Sequence, residues 1–473
     1  MRFGRTAAVY FVSQVVLSLA GFLATFFIAR LLGASALGTY MVAIALLFWL
    51  KVPANGVRAA IEKRVSEGRE RGEYLSAGFV AAATIAGVAT ALVLGFSDAV
   101  NAYVGASVSG MLVLLVWSNV FFDSIAAGLT GQKKVAHEGA VRVIERVGRL
   151  GGQVGLILLG YGVSGLIVGH TLSLFVAGLV GLAVFDVRPK LPSRDHLRSL
   201  ADYGRYSWLG SLQSQMFGWM DTTVLAFFVA SSLIGVYEVA WTLASTLALI
   251  SVAVQQTLFP ELSDLGVDER YDRIHHYLNE GFVFVGIFAI PGLFGAAVLG
   301  PDILRIYSPE FTRGATVLLV LIVARTIAAF GSQLLSAINA IDRPDVAFRI
   351  NGAFVATNLL LNVVLVSRYG WYGAAVATAL SAALSLVLGY YALSTLIGRP
   401  RIPAAEIGRE VAASLVMTVV LLGLVGQVPR NHVVTVLLVA VGAGVYTVVL
   451  VAISTRIRQK ALSLLPARIG TRV

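Results

Sequence analysis

Five ionisable side chains stand inside long apolar runs of this sequence: Lys51, Asp123, Asp221, Glu238 and Arg325. Arg325 lies near the middle of ATVLLVLIVARTIAAFGSQLLSAINA, residues 315–340. A charge at such a place costs several kcal/mol by insertion scales, and it is kept to face a partner, a water-filled cavity or a cargo. A planar guanidinium holds phosphate or carboxylate groups through paired hydrogen bonds, and a lysine does so as a point charge. Carboxylates in the same setting suit exchange of Na⁺ or H⁺. No nucleophile, base and oxyanion-donor set accompanies them. The chemistry on offer is the binding and release of charged groups, not the making of bonds.

The elements that carry these residues are transmembrane helices. Hydrophobic residues make up 58% of the 473 and charged residues 13%, with a mean hydropathy of +0.83. No soluble globule has that composition. Apolar runs of roughly 20 residues recur fourteen times, each matching a helix across ~30 Å of hydrocarbon. The first, after the basic lead MRFGR, is too long for a signal peptide and reads as a span. If the N-terminus is cytoplasmic, the predicted inner loops and termini hold 29 of the 36 Lys and Arg and the outer loops hold 5. The positive-inside rule then puts both termini in the cytoplasm of a multi-pass cell-membrane protein. The net charge of +11 follows from that topology and does not call for nucleic acid. Cysteine is absent, which excludes disulfides, thiol nucleophiles and cysteine-based metal sites.

Depth arithmetic pairs some of the charges. Lys51 and Asp123 come out level, each about 21 Å from the outer end of its run at 1.5 Å per residue. They form an ion pair that an anionic cargo could open, or Lys51 snorkels to the cytoplasmic interface and Asp123 faces cytoplasmic water. Asp221 and Glu238 lie ~8 Å deep and Arg325 ~15 Å, near enough for an acid and arginine cluster. Arg325 either binds a pyrophosphate or carboxylated sugar or neutralises Asp221.

Two echoes indicate an internal duplication. GTYMVA at 38–43 returns as GVYEVA at 235–240, and YGVSG at 161–165 returns as YGWYG at 369–373, at spacings of 197 and 208 residues. Duplicated halves are what transporters use for alternating access. The expected domains are an N-lobe at 1–186, a cytoplasmic linker at 187–205, a C-lobe at 206–398, and two further helices with a tail at 399–473.

YGRYSWLGS at 203–211, GWMD at 218–221, IGVYEVA at 234–240 and LFPELS at 258–263 resemble the seventh and eighth helices of the Wzx-type polysaccharide-biosynthesis flippases. These belong to the multidrug/oligosaccharidyl-lipid/polysaccharide (MOP) exporter superfamily. LLG at 31–33, GTY at 38–40 and Arg58 fit the same pattern, as do AGLTGQ at 127–132 and LSAINAIDRP at 335–344. The resemblance implies an all-α integral membrane fold of about fourteen helices, two pseudo-symmetric six-helix lobes around a central cavity plus two C-terminal helices. It implies a non-enzymatic flippase moving a polyprenyl-linked oligosaccharide to the outer leaflet for cell-surface glycan assembly. Partners would be the lipid-linked oligosaccharide, membrane lipid, and glycan polymerases or glycosyltransferases; no cofactor is expected beyond coupling Na⁺ or H⁺.

Arg325, Lys51 and Arg58 are the candidates for substrate contact, and Asp123, Asp221 and Glu238 for charge pairing or ion coupling. A lipid pyrophosphate calls for a positive excess that these charges lack; Arg142 and Arg205 near the inner mouths could supply it. The three acids equally suit a cation-coupled multidrug antiporter, and a membrane glycosyltransferase or polymerase is the rival of another class. The last two spans either form a groove for the lipid tail, as in the fourteen-helix lipid II flippases, or brace the bundle. GYGVSG at 160–165 spells GxGxxG but sits in a helical hairpin, without the strand that a dinucleotide site needs. Gly165 and Gly169 fit close helix packing, His170 polar packing or a place on the cavity, and His275 with His276 a solvated or interfacial inner loop.

Overall fold

The computed structural model describes residues 2–268 and 270–464, with side chains placed from residue 20 except at 205–217, 248–250 and from 461 onward. Arg205, expected near an inner mouth, falls outside the described side chains. The described residues form α-helices and one 3₁₀ turn (Pro309–Gly314), with no strand among them. The first helices are α1 (Arg2–Ser66), α2 (Arg71–Gly95), α3 (Ser97–Val104), α4 (Ser109–Gly131), α5 (Val135–Leu158) and α6 (Gly162–Ala183). There follow α7 (Arg194–Phe228), α8 (Ser231–Val267), α9 (Tyr271–Tyr307), α10 (Ala315–Ala340) and α11 (Pro344–Tyr369). The chain ends in α12 (Trp371–Ile397), α13 (Ala404–Val425), α14 (His432–Ile453) and α15 (Thr455–Leu464).

Among the described residues eleven helices are long and apolar enough to cross a membrane, so the protein is an all-α multi-pass membrane protein. Each of the fourteen expected runs falls on a helix. The first two share α1, which would measure about 98 Å if straight and is broken at Gly33 (φ 81°, ψ 178°). Glycine alone takes that conformation without strain. Helix α5 is outside the eleven and carries Arg142, Glu145, Arg146 and Arg149 within its length.

The chain forms two compact units, residues 1–238 and 239–473. In the first, α1 packs on α2, α4, α5 and α7, and α6 packs on α4 and α5. In the second, α12 packs on α10 and α11, and α9 packs on α10, α13 and α14. Leu299, Ala413, Met417, Leu421 and Leu438 form an apolar core where α9, α13 and α14 meet.

Within the first unit the duplicated motif meets itself. A Cβ on Gly38 of α1 would overlap the Ser231 carbonyl at the start of α8, and a Cβ on Gly235 would overlap the Ala34 carbonyl. Ala34 and Ser231 are separated by the same 197 residues as Gly38 and Gly235, so the contact is the same from either side. Small residues let helix backbones come this close. Gly169 does likewise on α6, where a Cβ would lie 2.8 Å from the Gln153 nitrogen of α5; the GxxxG spacing is a packing device here. Gly56 of α1 and Gly204 of α7 form a third close approach.

Gly38→Ala and Gly235→Ala should each destabilise the protein by about 1–3 kcal/mol, because the obstacle is backbone and cannot swing away. Gly87→Ala, at a position open to 4 Å, is the control. Thermal unfolding in detergent measures both.

Candidate functional site

Residues 51 and 58 are two helical turns apart on α1, and residues 119 and 123 one turn apart on α4, so each pair shares a face. Where these faces meet, Lys51 Nζ donates to Asn119 Oδ1 at 2.9 Å and to Asp123 Oδ2 at 3.1 Å. Arg58 Nη1 stands 3.7 Å from Asp123 Oδ1, and its Nε donates to Glu62 at 3.0 Å. Asp123 is 14% exposed and Lys51 21%. The structure thus joins Lys51, Arg58 and Asp123 in one network, and Lys51 reaches Asp123 instead of snorkelling away.

Helix α5 extends this network. Arg142, Arg146 and Arg149 recur every three to four residues, which aligns them in one stripe. Arg142 bonds Glu138 and lies 5.9 Å from the centre of the Phe122 ring. Arg149 bonds the buried Glu145, whose Oε1 is 4.0 Å from His170 Nε2. His170 Nδ1 is 3.0 Å from the Tyr40 hydroxyl, a buried polar packing role. Arg146 has its Nε buried with no hydrogen-bond partner among the described residues. The cluster therefore sets five cations, Lys51, Arg58, Arg142, Arg146 and Arg149, against the four carboxylates Glu62, Asp123, Glu138 and Glu145. Such a stripe can hold an anion with several negative oxygens by charge-assisted hydrogen bonds.

The other sequence candidates have described contacts of their own. Asp221 is buried and accepts from the Tyr237 hydroxyl, and the Thr222 hydroxyl donates to buried Glu238. Arg325, in the second unit, lies against Trp241, 5.2 Å from the ring centre, a cation–π contact that is stronger when desolvated. His275 is a correction: it is not solvated but buried, and its Nε2 bonds the Ile397 carbonyl at 3.0 Å. Sequence reasoning passed over Arg146 and Arg149, although their spacing with Arg142 inside an apolar run was there to be read. It also passed over Glu410 of α13, which is 1% exposed.

A family model described as polysaccharide biosynthesis protein matches residues 54–311. The probable flippase AglR of Haloferax volcanii is 31% identical over 99% of this chain and 100% of its own length. The chain belongs to the polysaccharide biosynthesis protein family. A second family-like relative, the probable low-salt glycan biosynthesis flippase Agl15 of Haloferax volcanii, is 30% identical over 89% of this chain and 90% of its own. Among solved structures, the lipid II flippase MurJ in an inward closed conformation superposes with a TM-score of 0.80 at 17% identity, covering 96% of this chain and 100% of that one. An inward-facing multidrug resistance MATE transporter of the MOP superfamily gives 0.58 at 15% identity, over 80% and 94%. The chain has the fold of these two transporters.

Removing one partner of a buried pair strands the other, at a cost on the order of 3 kcal/mol. Lys51→Met and Asp123→Asn should each lose stability, and the double variant should lose less than the two losses added. A double-mutant cycle of thermal unfolding reads this coupling.

Proposed function

We propose that this protein is a flippase that carries a lipid-linked oligosaccharide across the membrane, a transporter and not an enzyme. The carrying observation is the excess of cations in the first unit, which suits the phosphate groups of a lipid-linked glycan. The end-to-end likeness to relatives named as flippases supports that reading over a multidrug antiporter or a glycosyltransferase. Arg146, with its buried and unbonded Nε, is the principal anion ligand in this reading. Lys51 and Arg58 would exchange Asp123 for the cargo as it enters. Arg325, within the second unit, is in this reading a further contact for the cargo.

The tail has a candidate path as well. The second unit carries an apolar groove of about 960 Å³ lined by Phe282, Ile290, Phe330, Leu386 and Tyr391, with Arg399 at its rim. Its walls come from α9, α10 and α12 with Ile407 of α13, so in this reading the isoprenoid chain lies there while α13 and α14 otherwise brace the bundle. The protein would sit in the cell membrane with both termini cytoplasmic and would work by alternating access of the halves expected at 1–186 and 206–398. It would hand its cargo to glycan polymerases or glycosyltransferases on the far side.

Transbilayer movement of a fluorescent polyprenyl-pyrophosphate oligosaccharide in proteoliposomes tests this. A charged hydrogen bond is worth about 1.5–3 kcal/mol, so Arg146→Ala should slow movement roughly 10- to 100-fold while leaving thermal stability in place. Arg325→Ala should slow it as well. No protein-dependent movement with any of several glycans would reject the flippase reading.

A further inference from the structure

Among the described residues nothing neutralises Glu410. It is 1% exposed, and neither carboxyl oxygen has a hydrogen-bond partner among the described residues. Its Oε2 sits over Gly286 of α9, where a Cβ would collide with it. From α14 the Tyr446 hydroxyl, also buried and unbonded, is its electrostatic neighbour.

The nearby charges are all committed elsewhere. On its own helix Arg409 bonds Glu406, and the other oxygen of Glu406 accepts from Ser454 at 2.8 Å. At the start of α9 Glu280 takes both Arg456 and Lys460. No cation is paired with Glu410 among the described residues, and its nearest carboxylate, Glu406, is a like charge. A bare carboxylate ion in such a place carries a desolvation penalty of several kcal/mol that nothing repays. The neutral acid avoids most of it.

We propose that Glu410 is a proton-binding site: loaded when α13 lies against Gly286 as it does here, and able to release its proton only when α9, α13 and α14 separate. The inference does not depend on the flippase reading, since it concerns the protonation of one carboxyl in this packed state. It does name a coupling ion, H⁺, and places it on a helix outside the duplicated twelve.

Thermal or denaturant unfolding of the whole protein in detergent, from pH 5 to 8, is the test. An acid that keeps its proton when folded and loses it when unfolded makes the folded state weaker as pH rises, by up to tenfold in the folding constant per pH unit. The other titratable groups contribute equally to wild type and Glu410→Gln, so the expected result is a steeper fall with pH in wild type than in the variant. The glutamine variant should equal or exceed wild type near neutral pH. A hydrophobic carbodiimide, which adds to protonated carboxyls, gives the second reading: a peptide modified at Glu410 in wild type, fading as pH is raised, and unmodified in Glu410→Gln. Parallel pH profiles would overturn the proposal. So would stabilisation of wild type, but not of the variant, by Na⁺ at fixed pH, which would make the ligand sodium.

Discussion

Asp123 is held inside the first unit by two cations of α1, Lys51 and Arg58, while Asn119, one turn before it on α4, accepts a second hydrogen bond from Lys51. The constraint behind this arrangement governs the rest of the molecule: a charge among apolar helices must find a partner, or give up its charge. Around Asp123 the cations outnumber what it can use. Arg142 and Arg149 are turned toward Glu138 and Glu145 on their own helix, which leaves the stripe of α5 positive and partly committed. A site of that kind is held in shape by its internal pairs and still has charge left for an anion. Pairs that can be traded for a cargo's oxygens cost little to open, because the cation is never left alone.

For the pairs to meet at all, the helices must come close, and glycine arranges this. The crossing of Gly38 and Gly235 brings two copies of one motif into backbone contact. The same motif carries Tyr40 and Tyr237, which reach His170 and Asp221 respectively. One repeated stretch thus supplies both a close approach and a hydroxyl that satisfies a buried polar group. Side chains at the crossing would hold the backbones apart and withdraw those hydroxyls from their partners.

Much of this was legible in the sequence. Apolar runs gave the helices, because hydrocarbon thickness fixes run length. The repeat was visible as two echoes, though only the structure shows Gly38 against Gly235. Level depths brought Lys51 to Asp123, since a rise of 1.5 Å per residue converts sequence position to height. Depth says nothing about rotation around the helix, and there the reading stopped. Arg142 reads as a mouth residue because charge inside a run looks like the end of a run, and Arg146 and Arg149 pass unnoticed behind it. Glu410 stands at the very start of the thirteenth apolar run, where an acid passes for a loop residue. His275 was put in solvent because its neighbours in sequence are charged, whereas its ring turns to the Ile397 carbonyl.

The buried acids divide by how they are satisfied. Asp123 keeps cations; Asp221 and Glu238 each accept from a hydroxyl; Glu410 has neither. A hydroxyl relieves either protonation state, because it can turn its proton toward an anion or its lone pair toward an acid. Asp221 and Glu238 therefore keep a hydrogen bond in either protonation state, and a cation pair such as Lys51 with Asp123 holds the ion fast. Only the unbonded carboxyl against a glycine has its packing tied to its proton. If ion binding is to move helices, the energy must differ between the two packings, and among these acids that difference is largest where the protein offers no substitute for the proton.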